Sequence, residues 1–191
     1  MLTYDKPPIT SGSFTRIRNF EACPYRVALE SAEKREKPPV EPDSPLVRGI
    51  EVHQHCEDYV KGVVDEPDEL ISKPKVLEAL DFHRENYRQG NSHIEEDWAV
   101  DTQWQKCGWW DKDVWIRNKI DAGTYLDKNH ALYDDWKTGK MWGNEVKTYE
   151  QGGLGAIFWM MRNPEVTQVT SRFVYTDQNK IKKFEFKRKD M

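Results

Sequence analysis

Residues 120–140 read IDAGTYLDKNHALYDDWKTGK, and this stretch carries the strongest signal in the sequence for both fold and chemistry. Its apolar and aromatic residues predict two strands joined by a hairpin turn at residues 127–130. Because side chains alternate along a strand, Asp135 and Lys137 lie on one face of the second strand. Asp121 lies on the preceding strand, so the hairpin is expected to bring a second aspartate to this pair.

The register of this hairpin decides whether the two aspartates share a face. A four-residue loop that pairs Leu126 with Ala131 would set Asp121 opposite Trp136. The two carboxylates would then point to opposite faces, because a slip of one residue exchanges the faces of a strand. Convergence requires the pairing to shift by one residue. We predict an irregularity that provides this shift, with Gly123 as the natural place for a bulge.

The remaining segments predict helices first and a sheet afterwards. A helix begins near Ser11 or Ser13 and is interrupted at Pro24. Further helices are predicted at 46–63, 75–89 and 144–162, and strands at 95–105, 112–125, 131–137, 166–176 and 180–187. This order indicates an α/β fold with a central mixed sheet flanked by helices. We expect a single domain over 1–191, mainly helical in 1–93, with the catalytic sheet and helix in 94–191.

The composition is typical of a folded protein of the reducing cytosol. The 191 residues suffice for one compact core, and the net charge of −4 means that any DNA binding requires a local basic surface. No apolar run reaches the roughly 18 residues of a membrane span, and the N-terminus lacks the apolar segment of a signal peptide. The three cysteines form neither a CxxC site nor a disulfide framework. We therefore expect a cytoplasmic protein that does not bind membranes.

Two neighbouring aspartates require a positive partner. Like charges repel by roughly 4 kcal/mol at about 4 Å with an effective dielectric constant near 20. Carboxylate oxygens are the ligands that Mg²⁺ and Mn²⁺ prefer, and either ion can polarise a phosphate and lower the pKa of a water. Lys137 is then suited to orient or deprotonate the attacking water. An isolated Asp-x-Lys pair is more often a solvated salt bridge, so the surrounding motifs decide.

Five segments, in order along the chain, resemble the RecB-type branch of the PD-(D/E)XK nucleases. That branch includes the nuclease domains of recombination helicase–nucleases, CRISPR-associated adaptation nucleases and many phage exonucleases. The segments are SGSFTRIRNFEACPYRVAL at 11–29, RGIEVHQHCE at 48–57, IDAG at 120–123, DWKTGK at 135–140 and Gln151 in the helix after the hairpin. The resemblance covers nearly the whole chain and implies a restriction-endonuclease-like core.

The resemblance also implies a metal centre and a catalytic lysine. The metal ligands would be His53, Asp121, Asp135 and the backbone carbonyl of Trp136, with Mg²⁺ or Mn²⁺ as the cofactor. Asp121, Asp135 and Lys137 would form the catalytic set. A lone histidine on a helix is more often a packed or solvent-facing residue, so His53 as a ligand depends on the resemblance.

Two departures from the family pattern affect the expected site. Gln151 would position DNA or the lysine, but Gly155 stands where the family usually has a tyrosine, so contacts of that tyrosine must come from elsewhere. Some relatives hold an iron–sulfur cluster with one N-terminal and three C-terminal cysteines. Cys23 matches the first, but no cysteine follows Cys107. We therefore expect no iron–sulfur cluster, and we expect Cys23 to be a buried core thiol.

These features predict a metal-dependent DNA nuclease, most simply an exonuclease that acts on linear or single-stranded ends in recombination, repair or phage DNA metabolism. Its partners would be DNA and a recombination or helicase protein. Arg16, Lys140 and Trp142 are candidates for DNA contact beside Gln151, although charge runs are usually solvated and tryptophans usually pack in cores. Two alternatives stay open: a DNA-binding or assembly module of the same fold without turnover, and an RNase or another metal-dependent phosphodiesterase.

Overall fold

The computed structural model describes residues 9, 11–36 and 38–191, and these form two compact units. The first unit is Met1–Pro39 with Asp97–Asn118, and the second is Val40–Glu96 with Lys119–Met191. The α-helices of the described residues are α1 (Phe14–Ala22), α2 (Pro24–Val27), α3 (Pro45–Lys61), α4 (Pro74–Arg88) and α5 (Glu145–Arg162). The strands are β1 (Gly12–Ser13), β2 (Ser92–Asp101), β3 (Lys106–Cys107), β4 (Val114–Tyr125), β5 (His130–Lys137), β6 (Gln168–Tyr175) and β7 (Lys180–Lys187).

The first unit joins short helices to the outer parts of β2 and β4. Ser13 caps α1 by accepting a hydrogen bond from the Arg16 amide, at 3.3 Å. The helix ends at Ala22, and Pro24 begins α2, as expected of a residue that disfavours the interior of a helix but suits its first turn. A π-helical turn, Ala28–Ala32, follows α2. β1 pairs in parallel with β4, and β3 pairs antiparallel with β2.

The second unit contains a mixed sheet in the order β2-β4-β5-β6-β7. β4 and β5 form an antiparallel hairpin, β5 and β6 are parallel, and β6 and β7 are antiparallel. Helix α5 connects the two parallel strands and packs on β6, as a crossover between parallel strands requires. Helices α3 and α4 pack against each other. The predicted α/β fold with a central mixed sheet flanked by helices is confirmed.

A single apolar cluster joins α3 and α4 to the sheet. Val52, Cys56 and Val60 follow one face of α3 at spacings of four residues, and all three are buried. They meet buried residues of α4, among them Leu80, and of the sheet, among them Trp136. This packing fixes the face of α3 that is turned to the sheet and so determines where the remaining side chains of the helix point. None of the helices in the described residues is long and apolar enough to span a membrane.

The β4–β5 hairpin has the register that brings the two aspartates to one face. Tyr125 pairs with Ala131 and Gly123 with Tyr133, which continues to Asp121 opposite Asp135. The shift does not come from a bulge at Gly123, so that prediction is wrong. It comes from the turn, where the Leu126 amide donates to the His130 carbonyl at 2.9 Å and leaves a three-residue loop.

Gly123 has a packing role instead. A Cβ atom at this position would overlap the indole of Trp159 from α5. The absence of a side chain therefore lets α5 approach the sheet closely where it covers β4.

Candidate functional site

Five elements of the second unit deliver polar side chains to one face of the sheet. Helix α3 supplies one, β2 one, β4 one, β5 two and α5 one: His53, Glu95, Asp121, Asp135, Lys137 and Gln151. The structure therefore brings together the residues that the sequence predicted for the metal and catalytic set. Glu95 joins them without having been predicted.

His53 links α3 to two strands. Its Nε2 atom lies 3.0 Å from the carbonyl oxygen of Trp136, and its Nδ1 atom lies 3.4 Å from Glu95 Oε1. Nδ1 also lies 3.6 Å from Asp121 Oδ2. The ring is half-buried, with its two nitrogens turned to the groups that could share a cation with it.

The main chain of β5 fixes the carboxylate of Asp121. Its Oδ2 atom accepts a hydrogen bond from the Trp136 amide at 3.0 Å, and the side chain is buried. Since the Trp136 carbonyl faces His53, one peptide segment of β5 contacts both an expected carboxylate ligand and the expected imidazole ligand. The position of Asp121 is thus set by strand register rather than by a flexible side-chain contact.

Asp135 has one well-bonded oxygen and one that is not. Its Oδ2 atom accepts hydrogen bonds from Gln151 Nε2 at 2.6 Å and from the Tyr133 hydroxyl at 3.3 Å. Its Oδ1 atom lies 2.5 Å from Lys137 Nζ in an ion pair. Within the described residues, no donor meets this buried oxygen at a hydrogen-bonding angle. A buried carboxylate oxygen in this state is a candidate ligand for a cation.

Gln151 holds the lysine and the carboxylate together. Its Nε2 donates to Asp135, and its Oε1 accepts from Lys137 Nζ at 3.2 Å. The amide thereby fixes the relative positions of an anion and a cation that lie two residues apart on β5. In this structure Gln151 serves to position the lysine.

Tyr133 fills the place that Gly155 leaves open. A Cβ atom on Gly155 would come within 2.5 Å of the Tyr133 ring, so a tyrosine on α5 could not share this space. The Tyr133 hydroxyl reaches Asp135 from within β5, because the two residues are two apart and share a face. The strand therefore supplies a tyrosine hydroxyl where the helix supplies none.

Burial and crowding of like charges shift the proton equilibria of the site. Burial, reinforced by the charge of Asp135, raises the pKa of Asp121 to about 7. Burial alone would lower the pKa of His53, but the hydrogen bond to Glu95 and the charges of Asp121 and Asp135 outweigh it and raise that pKa to about 9. Lys137 behaves similarly: burial opposes its charge, but Asp135 and Asp121 raise its pKa overall. The acidic groups thus draw positive charge towards them.

The donors present fit a hard divalent cation. Ligand atoms of His53, Glu95 and Asp121 lie within 4.8 Å of one another, and Asp135 adds its incompletely bonded oxygen. Carboxylates, a carbonyl and one imidazole are ligands that suit Mg²⁺ and Mn²⁺. Burial would raise the pKa of Glu95, but His53 and Lys119, whose Nζ is 3.0 Å away, lower it overall, so this side chain is an anion.

Glu95 was missed because its backbone breaks the strand pattern. Its φ of 52° is left-handed, a conformation that is uncommon for glutamate. Strand alternation cannot predict the direction of a side chain at such a residue. The pair Glu95–Glu96 in a strand otherwise rich in apolar residues was the one available signal, and it does not distinguish which glutamate turns to the site.

The predicted DNA-contact residues lie in different places. Lys140 and Trp142 are exposed in the loop that follows β5, with Lys180 Nζ 5.6 Å from the centre of the Trp142 ring. Arg16 belongs to the first unit, where its guanidinium contacts Ser11. Cys23 is exposed, so the prediction of a buried core thiol is wrong. Its helix, α1, has no buried residue and forms no core that could enclose the thiol.

Comparisons with known proteins give one family and one similar structure. A search of curated proteins finds no match. Among solved structures, the chain is similar to one described as "Crystal structure of SSO0001", with 12% identity and a TM-score of 0.43, covering 95% of this chain and 69% of that one. Residues 11–187 match the model of the PD-(D/E)XK nuclease superfamily. The chain therefore belongs to the PD-(D/E)XK nuclease superfamily.

Proposed function

We propose that this protein is a Mg²⁺- or Mn²⁺-dependent deoxyribonuclease that hydrolyses DNA phosphodiesters, acting as an exonuclease on linear or single-stranded ends. The observation that carries the proposal is the meeting of Asp121 and Asp135, buried on one face, with Lys137 held against the second carboxylate. Membership of a nuclease family with divalent-metal chemistry supports the reaction class. DNA as the substrate and the exonuclease mode extend beyond that membership.

The metal ligands in this proposal are Asp121, Asp135, His53 and the Trp136 carbonyl, with Glu95 holding the His53 ring in place. When bound, the cation supplies Lewis acidity towards a phosphate oxygen and lowers the pKa of a water. Glu95 Oε1 lies beside His53 Nδ1, so it can orient the ring, as carboxylates commonly do for metal-binding histidines.

Lys137 acts in this proposal as a fixed positive charge. Its ammonium group is held by Asp135 and Gln151. The nearby carboxylates raise its pKa, which favours the protonated form. An ammonium in this position orients the attacking water and offsets the charge that develops on the phosphorus. Tyr133 and Gln151 keep Asp135 oriented while substrate binds.

We further propose that the chain is of the RecB type, works as a single nuclease domain and acts in the cytoplasm of a bacterial or phage-infected cell. The order of the five motifs supports this placement. Recombination, repair or phage DNA metabolism would be its context, with a recombination or helicase protein as partner. The predicted DNA contacts are Gln151, Arg16, Lys140 and Trp142.

An assay on matched nucleic acids tests the proposal. Linear duplex DNA, single-stranded DNA, closed circular DNA and RNA of the same sequence are incubated with Mg²⁺, Mn²⁺ or EDTA. We expect mononucleotides or short products from the linear DNAs, slow or no cutting of circles, and no products in EDTA. Asp121→Asn is the matched inactive variant.

Each alternative has its own result in this assay. A wild-type protein that binds DNA but gives the same products as Asp121→Asn would be a binding module without turnover. Preferential hydrolysis of RNA would identify an RNase, and rapid cutting of closed circles would replace the exonuclease assignment with an endonuclease.

A further inference from the structure

A second polar cavity opens beside Lys137, at the beginning of α5. Its volume is about 180 Å³, and it is lined by Lys137, Gly139, Lys140, Asn144, Lys147, Thr148, Gln151 and Tyr175. Three of these residues are lysines and none is acidic. The same Lys137 contacts Asp135 of the candidate metal centre, so the cavity and the metal centre share one side chain.

Two of the three lysines have no counter-charge. In the described part of the chain, neither Lys140 nor Lys147 forms a side-chain ion pair or hydrogen bond, and both are exposed. Other lysines of this unit do pair: Lys61 lies 2.5 Å from Glu57, and Lys183 lies 2.6 Å from Glu185. In a chain with a net charge of −4, two unpaired lysines on one cavity mark a local basic surface.

The cavity walls are held in place by hydrogen bonds. The Asn144 side chain donates to the Lys140 carbonyl at 3.0 Å, and Gln178 donates to the Gly139 carbonyl at 2.9 Å. These contacts fix the loop between β5 and α5. On the opposite wall the buried Thr148 donates to the Asn144 carbonyl at 3.0 Å.

The first turn of α5 adds a smaller electrostatic contribution. The N-terminal end of a helix carries a partial positive charge that favours an anion. Glu145 is the acidic residue of this turn and places one negative charge near the three lysines. The balance of charge around the cavity therefore stays positive.

We propose that this cavity binds a backbone phosphate of the nucleic acid, next to the phosphate that is hydrolysed. The inference rests on the proposed function, because Lys137 faces the cleaved phosphate on one side and the cavity on the other. Lys140 and Lys147 bind the neighbouring phosphate as point charges. That phosphate is either an internal diester or a terminal monoester, since both present the same anionic oxygens.

Binding measured without hydrolysis tests the site separately from catalysis. Fluorescence anisotropy follows a labelled single-stranded oligonucleotide with the whole protein in EDTA, using Lys140→Gln, Lys147→Gln and the double variant. Lys128→Gln is the matched control, because Lys128 is also exposed and lies in the β4–β5 turn. We expect each cavity variant to bind about 3- to 10-fold more weakly, with a salt dependence reduced by about 0.7 per contact, and the control to match wild type.

Neutral linkages locate the phosphate. A methylphosphonate replaces one phosphodiester at a time, and oligonucleotides with and without terminal phosphates distinguish a diester from a monoester. Wild type should lose affinity at one position, and the double variant should lose no more there. Binding by both lysine variants that equals that of Lys128→Gln would overturn the proposal, even if the protein is a nuclease. If the lysine dependence appears but no nucleic acid is hydrolysed, the phosphate site stands and the proposed nuclease function fails.

Discussion

Asp134 and Asp135 are neighbours on β5, both buried, and they differ in every other electrostatic respect. Asp134 is matched inside the protein: Arg172 contacts both of its oxygens, at 2.7 and 2.5 Å, and His83 Nε2 lies 3.0 Å from one of them. Burial would raise the pKa of Asp134, but His83 and Arg172 lower it overall. On the other face, Asp135 stands near a second carboxylate, Asp121, whose pKa is raised to about 7.

The contrast shows how one strand carries a structural carboxylate and a functional one. The Asp134 face has its cations built in, so it is complete when the chain folds. The Asp121 and Asp135 face has one lysine for two carboxylates, and one buried oxygen lacks a hydrogen-bond donor among the described residues. Repulsion on that face is relieved only when a cation arrives. The predictions below separate the two faces.

Asp135→Asn should abolish hydrolysis while leaving the fold intact. Loss of this carboxylate removes a ligand and the ion-pair partner of Lys137, so we expect a fall of about 1,000-fold or more in the rate of phosphodiester hydrolysis. The free energy of unfolding without metal should stay within about 1 kcal/mol of wild type, because repulsion with Asp121 is relieved. Single-turnover kinetics and urea unfolding measure both. A large loss of stability with retained activity would reverse the roles of the two faces.

Asp134→Asn should produce the opposite result. The substitution leaves Arg172 and His83 without their buried carboxylate, which costs about 3–5 kcal/mol of unfolding free energy. For a chain of this size the melting temperature should fall by about 6–20 °C. Calorimetry measures the fall, and hydrolysis assayed well below the new melting temperature should stay close to wild type. An unchanged melting temperature would show that this carboxylate is not structural.

Stability without metal should decrease as pH rises, and the effect of a cation should increase. Folding raises the pKa of Asp121 from 3.8 to about 7 and that of His53 from 6.5 to about 9. Protonation of both groups therefore favours the folded state, and this stabilisation is lost as pH rises through those values. A cation must displace the same protons, so it binds better at high pH. Melting temperatures in EDTA should fall from about pH 6 to about pH 9, and the gain with Mn²⁺ should be greater at about pH 9.

The Asp135→Asn variant is the control for this pH series. Without the charge of Asp135, the pKa of Asp121 should lie closer to its ordinary value, and the fall in melting temperature should be smaller. A gain with Mn²⁺ that is equal at both pH values would contradict proton displacement from the site.

Tyr133→Phe should have the smallest effect. Its hydroxyl donates to Asp135, and loss of such a supporting contact commonly lowers metal affinity or activity about 10-fold or more. Stability should change little, because the ring still packs against Gly155. Titration with Mn²⁺ at a fixed DNA concentration measures the shift in metal requirement. Tyr125→Phe, on β4, is the matched control, and equal behaviour of the two variants would deny Tyr133 a role in the site.

The sequence was sufficient for elements whose periodicity is long and strong. The predicted helix at 46–63 is Pro45–Lys61, and the strand at 131–137 is His130–Lys137, each within two residues at either end. Alternation along that strand placed Asp135, Lys137 and Tyr133 on one face. The short strands β1 and β3 and the π-helical turn were not predicted, because two to five residues carry no periodic signal.

The parts that failed depend on single residues or on tertiary packing. The register of the hairpin was set by three turn residues, and Gly123 answered to the indole of Trp159 rather than to a bulge. Glu95 reaches the site through a left-handed backbone that strand patterns do not encode. Cys23 was expected inside a core, but α1 buries none of its residues.

The most direct test is a crystal soaked in Mn²⁺, with anomalous diffraction measured at the manganese edge. The account predicts a peak between the carboxylates of Asp121 and Asp135, within ligand distance of His53 or the Trp136 carbonyl, and no peak beside Asp134. A protein that hydrolyses nucleic acid with Mn²⁺ while its only ordered manganese lies away from both Asp121 and Asp135 would contradict it.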